Sequence, residues 1–210
     1  VSAHAVQKLT VPVRRLADQI LKHSQRLPEG ALLTAVRLLH FGERGAVNKA
    51  LAHLARRGDL LRVWRGLYVR PIPTRFGPRH PTMESVVASL AELWGESIAT
   101  HGAVSANRLG LTTQVPVRAV YLTSGPDRWL WLRGSSLTLY HAPLWQFVRA
   151  GRLTGEIIRA LAWLGPSETA RLLPFLNARL SPADREVLVE AAPLLPSWLA
   201  EQISRSLAQP

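Results

Sequence analysis

A proline-rich stretch between residues 70 and 82 sets the strongest limit on how this chain can fold. It reads RPIPTRFGPRHPT and contains four prolines. Because proline has a fixed φ and no backbone N–H, this stretch can form neither a helix nor a central strand. We therefore predict a first domain over residues 1–70, an extended linker over 71–81 and a second domain over 82–210.

Charge is distributed unequally between the two halves. The chain carries 26 Lys and Arg against 14 Asp and Glu, a formal net charge of +12. Residues 1–80 contain 15 of these bases and 4 of the acids, whereas residues 81–210 contain 11 and 10. Such a basic segment is typical of a nucleic-acid-binding domain, although charge alone is equally consistent with a solvated basic surface.

Composition and hydropathy exclude several classes of protein. The chain has no cysteine, which excludes disulfides, thiolate metal sites and cysteine nucleophiles. No apolar run approaches the roughly 18 residues that a transmembrane helix needs, and the start of the chain lacks the apolar core of a signal peptide. We expect a folded cytoplasmic protein that does not contact a membrane.

Two helices are predicted in the basic half before residue 41. Apolar residues at helical spacing, with charged residues between them, predict the first: Val13, Leu16, Ala17, Ile20 and Leu21. After a break at residues 28–30, Thr34 is placed to cap a short second helix, Ala35–His40. The side chains of Val36 and Leu39 are expected to face inward.

A third helix and a hairpin complete this half. The helix is predicted over Arg44–Arg57 and ends at Gly58, and its apolar stripe consists of Val47, Ala50, Leu51 and Leu54. Two β-prone runs, Leu60–Trp64 and Leu67–Val69, are joined by Arg65-Gly66 and predict a hairpin. Three helices followed by a hairpin are the element order of a winged helix-turn-helix.

The third helix is the candidate for reading DNA, because an α-helix fits the major groove. The face opposite the apolar stripe carries the candidate contact residues Arg44, Asn48, Lys49, His53 and Arg56. Arginine can pair bidentately with guanine and asparagine with adenine, so Arg44 and Asn48 are expected to contact bases. Lys49 and Arg56 are expected to hold phosphates.

The hairpin would form the wing of this domain. Arg62 and Arg65 are placed to reach the sugar-phosphate backbone or an adjacent minor groove. An alternative is a winged helix that contacts a partner protein and binds DNA only incidentally. A shallow salt dependence of DNA affinity would favour that alternative, because several phosphate contacts impose a steep one.

The second half is predicted to be a mixed α+β domain, so the whole chain is expected to be α+β. Thr82 caps a helix, Met83–Trp94, and the following short elements are predicted at Ser97–His101, Ala103–Leu109, Arg118–Thr123, Arg128–Arg133 and Ser136–His141. Of these five short elements, Ala103–Leu109 is predicted to be a helix and the other four are predicted to be strands. Trp129 and Trp131 lie on one face of theirs.

From about residue 144 onward the chain is predicted to be helical. Breaks are expected at Gly151, Gly165-Pro166, Ser181-Pro182 and Pro193/Pro196. The apolar residues expected to supply the core are Leu172, Leu173, Leu176, Leu188, Leu194, Leu195 and Trp198.

Few residues in the chain are suited to catalysis. The histidines show no zinc-finger or metalloprotease spacing, and there is no phosphate-binding glycine loop. Gly134-Ser135-Ser136 is faintly similar to the Gly-Ser opening of nucleotidyltransferases, but no acidic pair follows it, so a hairpin turn is the better interpretation. His101 and His141 are interpreted as structural or exposed. We predict no catalytic residues, no metal site and no cofactor.

The middle of the chain resembles a known family. Residues 100–116, THGAVSANRLGLTTQVP, resemble the "sGA-AAN-LGL-TQVP" signature of AbiEi-type antitoxins of type IV toxin–antitoxin systems. Residues 120–126, VYLTSGP, are similar to the "YLT-G" segment of that family, and Arg65-Gly66-Leu67-Tyr68 with Pro71 resembles its "rGlY–P" wing end. The resemblance covers roughly residues 25–142.

This resemblance implies a function and two partners. Such proteins join a winged-helix domain to a C-terminal domain that is needed for antitoxicity. They repress their own operon by binding repeats in its promoter, so double-stranded promoter DNA is one expected partner. The other is a cognate toxin with a nucleotidyltransferase fold, with or without direct contact. A third hypothesis, enzymatic modification of the toxin by the C-terminal domain, lacks any nucleotide-binding motif.

The chain departs from the family pattern at two places. Glu43-Arg44-Gly45 stands where the recognition helix of the family opens with a small polar cap, and His101 stands where a small residue is usual. Glycine in a first turn weakens a helix. Within the signature, Gly102 is expected to permit close approach of a strand to the next helix, and Asn107 to satisfy backbone groups. A direct toxin contact is the alternative role.

Overall fold

The computed structural model describes residues 13–132 and 135–207 and is a mixed α+β structure. It divides into two units: one runs to Leu93 and includes Trp131 and Leu132, and the other comprises Trp94–Leu130 and the residues from Ser135 onward. Arg133 and Gly134 of the predicted strand and turn lie outside the described residues, as do residues 1–12 of the predicted first domain. The domain limits at residues 70 and 82 stay predictions.

Two packed helices form the centre of the first unit. Helix α1 covers Val13–Ser24 and helix α2 covers Arg44–Arg57. The apolar stripe of α2 is fully buried, as predicted, against three α1 side chains, Leu16, Ala17 and Ile20. Each helix therefore has one face in the core and its charged face in solvent.

The predicted second helix is shorter and is oriented differently. A single 3-10 turn, Val36–Leu38, replaces the six-residue helix, and Thr34 Oγ1 accepts a hydrogen bond from the backbone N–H of Arg37 at 3.2 Å. Val36 is 63% exposed and Leu39 is 46% exposed, so the prediction that they face inward is wrong. In a 3-10 turn, residues three apart lie on one face. Ala35 and Leu38, and not Val36 and Leu39, are the pair that packs into the core.

The predicted hairpin follows α2. Gly58 ends the helix at φ 84°, where a side chain would be strained. Strands β1 (Leu61–Trp64) and β2 (Leu67–Val69) pair antiparallel. A bridge between Leu33 and Tyr68 adds a short third segment, held by backbone hydrogen bonds of 2.8 and 3.1 Å. The order helix, turn, helix and hairpin is that of a winged helix-turn-helix.

Helix α3 and a four-stranded sheet follow. α3 spans Met83–Trp94 and is capped by Thr82, as predicted. The sheet has the order β3-β4-β6-β5, with β3 antiparallel and β6 parallel to β4. The strands are β3 Ile98–Thr100, β4 Ala119–Thr123, β5 Arg128–Leu132 and β6 Ser135–His141.

The second unit continues with α4 (Gly102–Arg108) and a helical C-terminal part. Its helices are α5 Leu153–Asn177, α6 Pro182–Ala191 and α7 Ser197–Leu207. Helix α5 kinks at Gly165, which has φ 81° and ψ 173°, because a residue before proline is driven out of the helical region. Across the kink, the buried Thr169 hydroxyl donates to the Leu161 carbonyl at 2.9 Å.

Helix α6 begins at a serine cap and is followed by a 3-10 turn. Ser181 caps α6, accepting from the Asp184 N–H at 3.2 Å, with proline at the first helical position. The prediction that Leu194 lies in the core is wrong. Leu194 is 62% exposed, because the 3-10 turn Ala192–Leu194 places Ala192 inside. None of the helices in the described part of the chain is long and apolar enough to cross a membrane.

Close packing of α4 on α5 depends on Gly102. A Cβ at this position would collide with the Arg159 carbonyl oxygen and the Trp163 Cβ, both on α5. The predicted close approach is therefore present, but its partner is helix α5 and not a strand. Glycine is required because the obstacle is a backbone oxygen that cannot rotate away.

Two glycine-to-alanine variants test this packing. Gly102→Ala should destabilise the protein by about 1–3 kcal/mol, the usual cost of overpacking. Gly45→Ala is the matched control, because a Cβ at Gly45 in the first turn of α2 meets nothing within 4 Å. There, alanine should stabilise by about 0.5–1 kcal/mol through its higher helix propensity. Urea unfolding followed by circular dichroism measures both, and equal effects would contradict the packing argument.

Candidate nucleic-acid interface

The exposed face of α2 carries most of the predicted contact residues. Arg44, Asn48, Lys49 and Arg56 are exposed, whereas His53 is half-buried. Arg44, Asn48 and Arg56 are separated by multiples of four positions, so they form one row along the helix. The structure therefore brings four of the five predicted helix residues together on one solvent-facing surface, and His53 lies at its flank.

These cations are free of acidic partners. Within residues 13–132 and 135–207, no carboxylate forms an ion pair with Arg44, Lys49 or Arg56. By contrast, neighbouring Arg57 is held by Asp59, with Nε and Oδ2 2.9 Å apart. An unpaired guanidinium keeps all five N–H donors for a ligand, which suits carboxylate or phosphate recognition.

The start of α2 has little local support. Glu43 occupies the N-cap position in an extended conformation, and its side chain makes no capping hydrogen bond. Gly45 follows in the first turn. A helix with side chains is about 10–12 Å across and the major groove is about 12 Å wide, so α2 has a suitable width to enter it.

The hairpin presents a second basic surface. Leu61 and Val63 of β1 are buried, and the alternate residues Arg62 and Trp64 are exposed. Arg65 is also exposed, in a turn that Gly66 closes at φ 75°. The Arg62 Nε donates to the Trp64 carbonyl at 3.4 Å, which orients the guanidinium along the hairpin. Both predicted wing arginines therefore face solvent.

Trp64 is a wing residue that the sequence analysis missed as a candidate contact. It is 41% exposed and lies between the two wing arginines in sequence. The alternation Leu61-Arg62-Val63 in the sequence is the signal that could have found it, because the position next to an inward valine faces out, as the structure shows.

The proline-rich stretch contains a small hairpin that the sequence analysis also missed. The backbones of Ile72 and Arg79 exchange two hydrogen bonds of 2.8 and 2.9 Å. A tight turn, Thr74–Gly77, closes the hairpin, and the Thr74 hydroxyl donates to the Gly77 carbonyl at 2.6 Å. The predicted linker therefore contains a turn and a backbone bridge, which the prediction of an extended connector did not include. The Thr-x-x-Gly spacing between two prolines is the signal for this turn.

A fully paired carboxylate anchors that hairpin. Arg79 makes two bonds of 2.8 Å to the carboxylate of Glu29, which also accepts from the Thr82 N–H at 2.8 Å. The bond from Arg79 and then the bond from the Thr82 N–H lower the pKa of Glu29 from 4.5 to about 2. Glu29 thus stays ionised whenever the unit is folded near neutral pH.

Two signature residues of the second unit, His101 and Asn107, form side-chain hydrogen bonds with backbone groups. His101 caps α4, where its Nδ1 accepts from the Ala103 N–H at 3.2 Å, and burial lowers its pKa, which keeps that nitrogen unprotonated. The Asn107 amide donates to the carbonyls of Gln114 at 3.0 Å and Thr112 at 3.4 Å, which confirms the predicted role of Asn107. These residues shape the loop that leads into β4.

Polar side chains at one end of the four-stranded sheet form hydrogen bonds with one another. Glu96 receives two bonds from Arg128, at 2.6 and 2.7 Å, and one from Thr123 at 2.8 Å. The Arg128 guanidinium lies 4.0 Å from the ring centroid of Trp94, and His141 lies 2.9 Å from the Gly125 carbonyl through Nδ1. Among the described residues, no group of three acidic or histidine side chains is placed to hold a metal.

Comparison with protein families identifies the chain. Residues 19–172 match a family described as "Family of unknown function (DUF6088)". The chain belongs to the DUF6088 family. No curated protein matches it.

One solved structure is similar in fold to this DUF6088 protein. It is the crystal structure of the RV2827C protein from Mycobacterium tuberculosis, with a TM-score of 0.52 and 16% sequence identity. The match covers 95% of this chain and 78% of the other. At this identity the similarity concerns the fold alone, and the family description names no activity.

The Glu29–Arg79 contact predicts that the stability of the fold decreases at low pH. Because the pKa of Glu29 is lowered in the folded state, its contribution to stability is fully present above about pH 4.5 and is lost as the pH falls toward about 2. In a carboxyl-detected NMR titration, Glu29 should titrate near 2 in the wild type and closer to 4.5 in Arg79→Ala. Arg75→Ala is the control and should leave the Glu29 midpoint unchanged. A wild-type midpoint near 4.5 would contradict the contact.

Proposed function

We propose that this DUF6088 protein is a DNA-binding repressor of its own operon and an antitoxin. The observation that carries the DNA-binding part is the exposed row on α2, in which Arg44, Asn48 and Arg56 lie opposite a buried apolar stripe. Such a row on the second main helix of a winged helix-turn-helix is the geometry of groove recognition. The wing adds Arg62 and Arg65 beside it in sequence.

Charge supports DNA as the ligand. Nearly all of the net positive charge lies in residues 1–80. In the described structure, the candidate contact residues Arg44, Lys49 and Arg56 of α2 and Arg62 and Arg65 of the wing form no ion pair with a carboxylate, whereas Arg57 of α2 does. Phosphate neutralisation by such residues releases counterions, which supplies much of the free energy of binding. Asn48 adds a side chain that can distinguish adenine.

The antitoxin part is supported by the resemblance of residues 100–116 to the AbiEi-type signature. In that family a nucleotidyltransferase-fold toxin is the cognate partner. We assign neutralisation to the residues after the first unit and propose that they act by binding and not by catalysis. The signature residues Gly102 and Asn107 then serve the fold of this part, because they pack against α5 and hold backbone carbonyls.

A second candidate function is a winged helix that binds a partner protein. One observation favours it: Val36 and Leu39 present exposed apolar side chains on the 3-10 turn before α2. Exposed apolar residues mark protein contacts more often than DNA contacts. Under this function DNA affinity would be weak and would vary little with salt.

The deciding experiment is a fluorescence-anisotropy titration of the full chain against its own promoter DNA. A scrambled duplex of equal length is the control, and both are measured at several salt concentrations. We expect the promoter to bind at least ~1000-fold more tightly than the scramble at physiological salt. Equal and weak binding of both duplexes would refute the repressor assignment and favour the protein-binding candidate.

Single alanine variants should separate base reading from phosphate contact. Arg44→Ala and Asn48→Ala should each lose about 1–3 kcal/mol of discrimination at particular base pairs. Lys49→Ala and Arg62→Ala should weaken binding to all sequences alike and reduce the slope of log K against log salt by about 0.9 per contact. The titrations use the promoter and a set of singly substituted duplexes. Equal, sequence-blind losses for all four variants would contradict the placement of α2 in the groove.

Neutralisation should survive the loss of promoter binding. The double variant Lys49→Ala/Arg62→Ala, expressed from an unrelated promoter, should restore growth of cells that produce the toxin of the neighbouring gene as well as the wild type does. The reason is that the proposed antitoxin residues lie outside α2 and the wing. Colony counts measure the rescue. Failure of the wild-type chain to rescue would refute the antitoxin part while leaving DNA binding intact.

A further inference from the structure

The segment between Asp59 and Glu84 is an uninterrupted basic stretch. It contains five arginines and no carboxylate: Arg62, Arg65, Arg70, Arg75 and Arg79. The first two belong to the wing, and the other three lie in the proline-rich stretch. The structure distinguishes these three by what their guanidinium groups contact.

Two of the three are occupied by the fold. Arg70 donates through Nε to the Ser24 carbonyl at the end of α1, at 3.1 Å. Arg79 is held by both oxygens of Glu29. Arg75 has no carboxylate partner among the described residues, and its guanidinium carbon lies 4.6 Å from the centre of the Phe76 ring. Arg75 is therefore the linker arginine that remains available for a ligand.

Arg75 and Phe76 form the tip of the small hairpin. The two backbone bonds between Ile72 and Arg79 hold its base, and the Thr74 hydroxyl closes its turn by bonding with the Gly77 carbonyl and the Phe76 N–H. The Glu29 contact anchors one side of the base to the loop after α1. These hydrogen bonds restrain the tip, which reduces the conformational entropy lost on binding.

Phe76 is exposed to an unusual degree. It is 87% accessible, in a unit whose other large apolar residues are mostly buried. An exposed phenyl ring at a hydrogen-bonded turn, with an arginine above it, is suited to a ligand with both an anionic and a flat apolar part. A nucleic-acid strand offers this combination in its phosphates and in its sugars and bases.

We propose that the 72–79 hairpin is a third DNA-contacting element, in addition to α2 and the wing. Arg75 binds a backbone phosphate, and Phe76 packs against the sugar and base edges of the adjoining minor groove. This inference rests on the proposed DNA binding and adds a specific contact to it. The segment carrying the tip has no acidic residue, which favours an anionic partner, and DNA is the anionic partner of the proposed function.

Salt titrations of tip variants test the two contacts separately. Arg75→Ala should reduce the slope of log K against log salt by about 0.9, the value for one lost phosphate contact. Phe76→Ala should leave that slope unchanged and weaken promoter binding by about 5- to 100-fold at every salt concentration, the usual effect of losing an aromatic contact with a base. Both side chains are exposed, so the melting temperatures should match that of the wild type.

Arg15→Ala is the matched control. It removes the same charge from an exposed position on α1, in the same unit. If Arg15→Ala lowers the affinity and the slope as much as Arg75→Ala does, the effect is one of net charge and the proposal is overturned. An unchanged affinity in both tip variants also overturns it.

The absence of cysteine allows a direct test of proximity. A Phe76→Cys variant provides a unique thiol for an iron chelate that cleaves nearby DNA. Cleavage should map to a minor groove flanking the α2 site. Intact promoter binding by the wild type and loss of specificity in Arg44→Ala would support the proposed function. If the tip variants then bind normally and no cleavage occurs, only the tip proposal fails. If the wild type does not bind its promoter, both fail.

Discussion

The packing of α1 on α2 is the contact on which the candidate interface depends. Leu16 and Ile20 of α1 share one buried core cluster with Val47 and Leu51 of α2, and all four side chains are almost completely buried. Burial of each such side chain contributes roughly 1.5–3 kcal/mol. Because the apolar stripe of α2 must face α1, the opposite face with its cations must face solvent. The direction of the basic row is therefore a consequence of core packing.

The second unit depends on a different constraint, the close contact between α4 and α5. It is possible because Gly102 has no side chain, and it places Arg159 of α5 in the interior, where burial lowers the pKa of its guanidinium. The signature that resembles the antitoxin family is thus explained largely by packing and by backbone hydrogen bonds. Exposed residues of the loop held by Asn107, such as Val115 and Val117, are the part that packing does not explain.

Much of the fold could be predicted because its signals are local. Apolar spacing predicts α1 and α2, Gly58 marks the end of α2, and Ser181 marks the start of α6. The errors arose where a choice depended on distant contacts. The predicted α-helix directs Val36 and Leu39 inward, but the core accepts only Leu38 and Ala35 from this turn. Leu194 is exposed because the core accepts Ala192 from its 3-10 turn instead.

The sequence by itself determined which residues are charged, where helices and hairpins begin, and that Arg44, Asn48 and Lys49 share a helix face, because these follow from spacing along the chain. It also carried the family resemblance. Only the tertiary structure decided which cations remain available. Glu29 and Arg79 are 50 positions apart, and their pairing is visible only when the proline-rich stretch folds back on the loop after α1. Charge is a property of the residue, whereas availability depends on its neighbours in space.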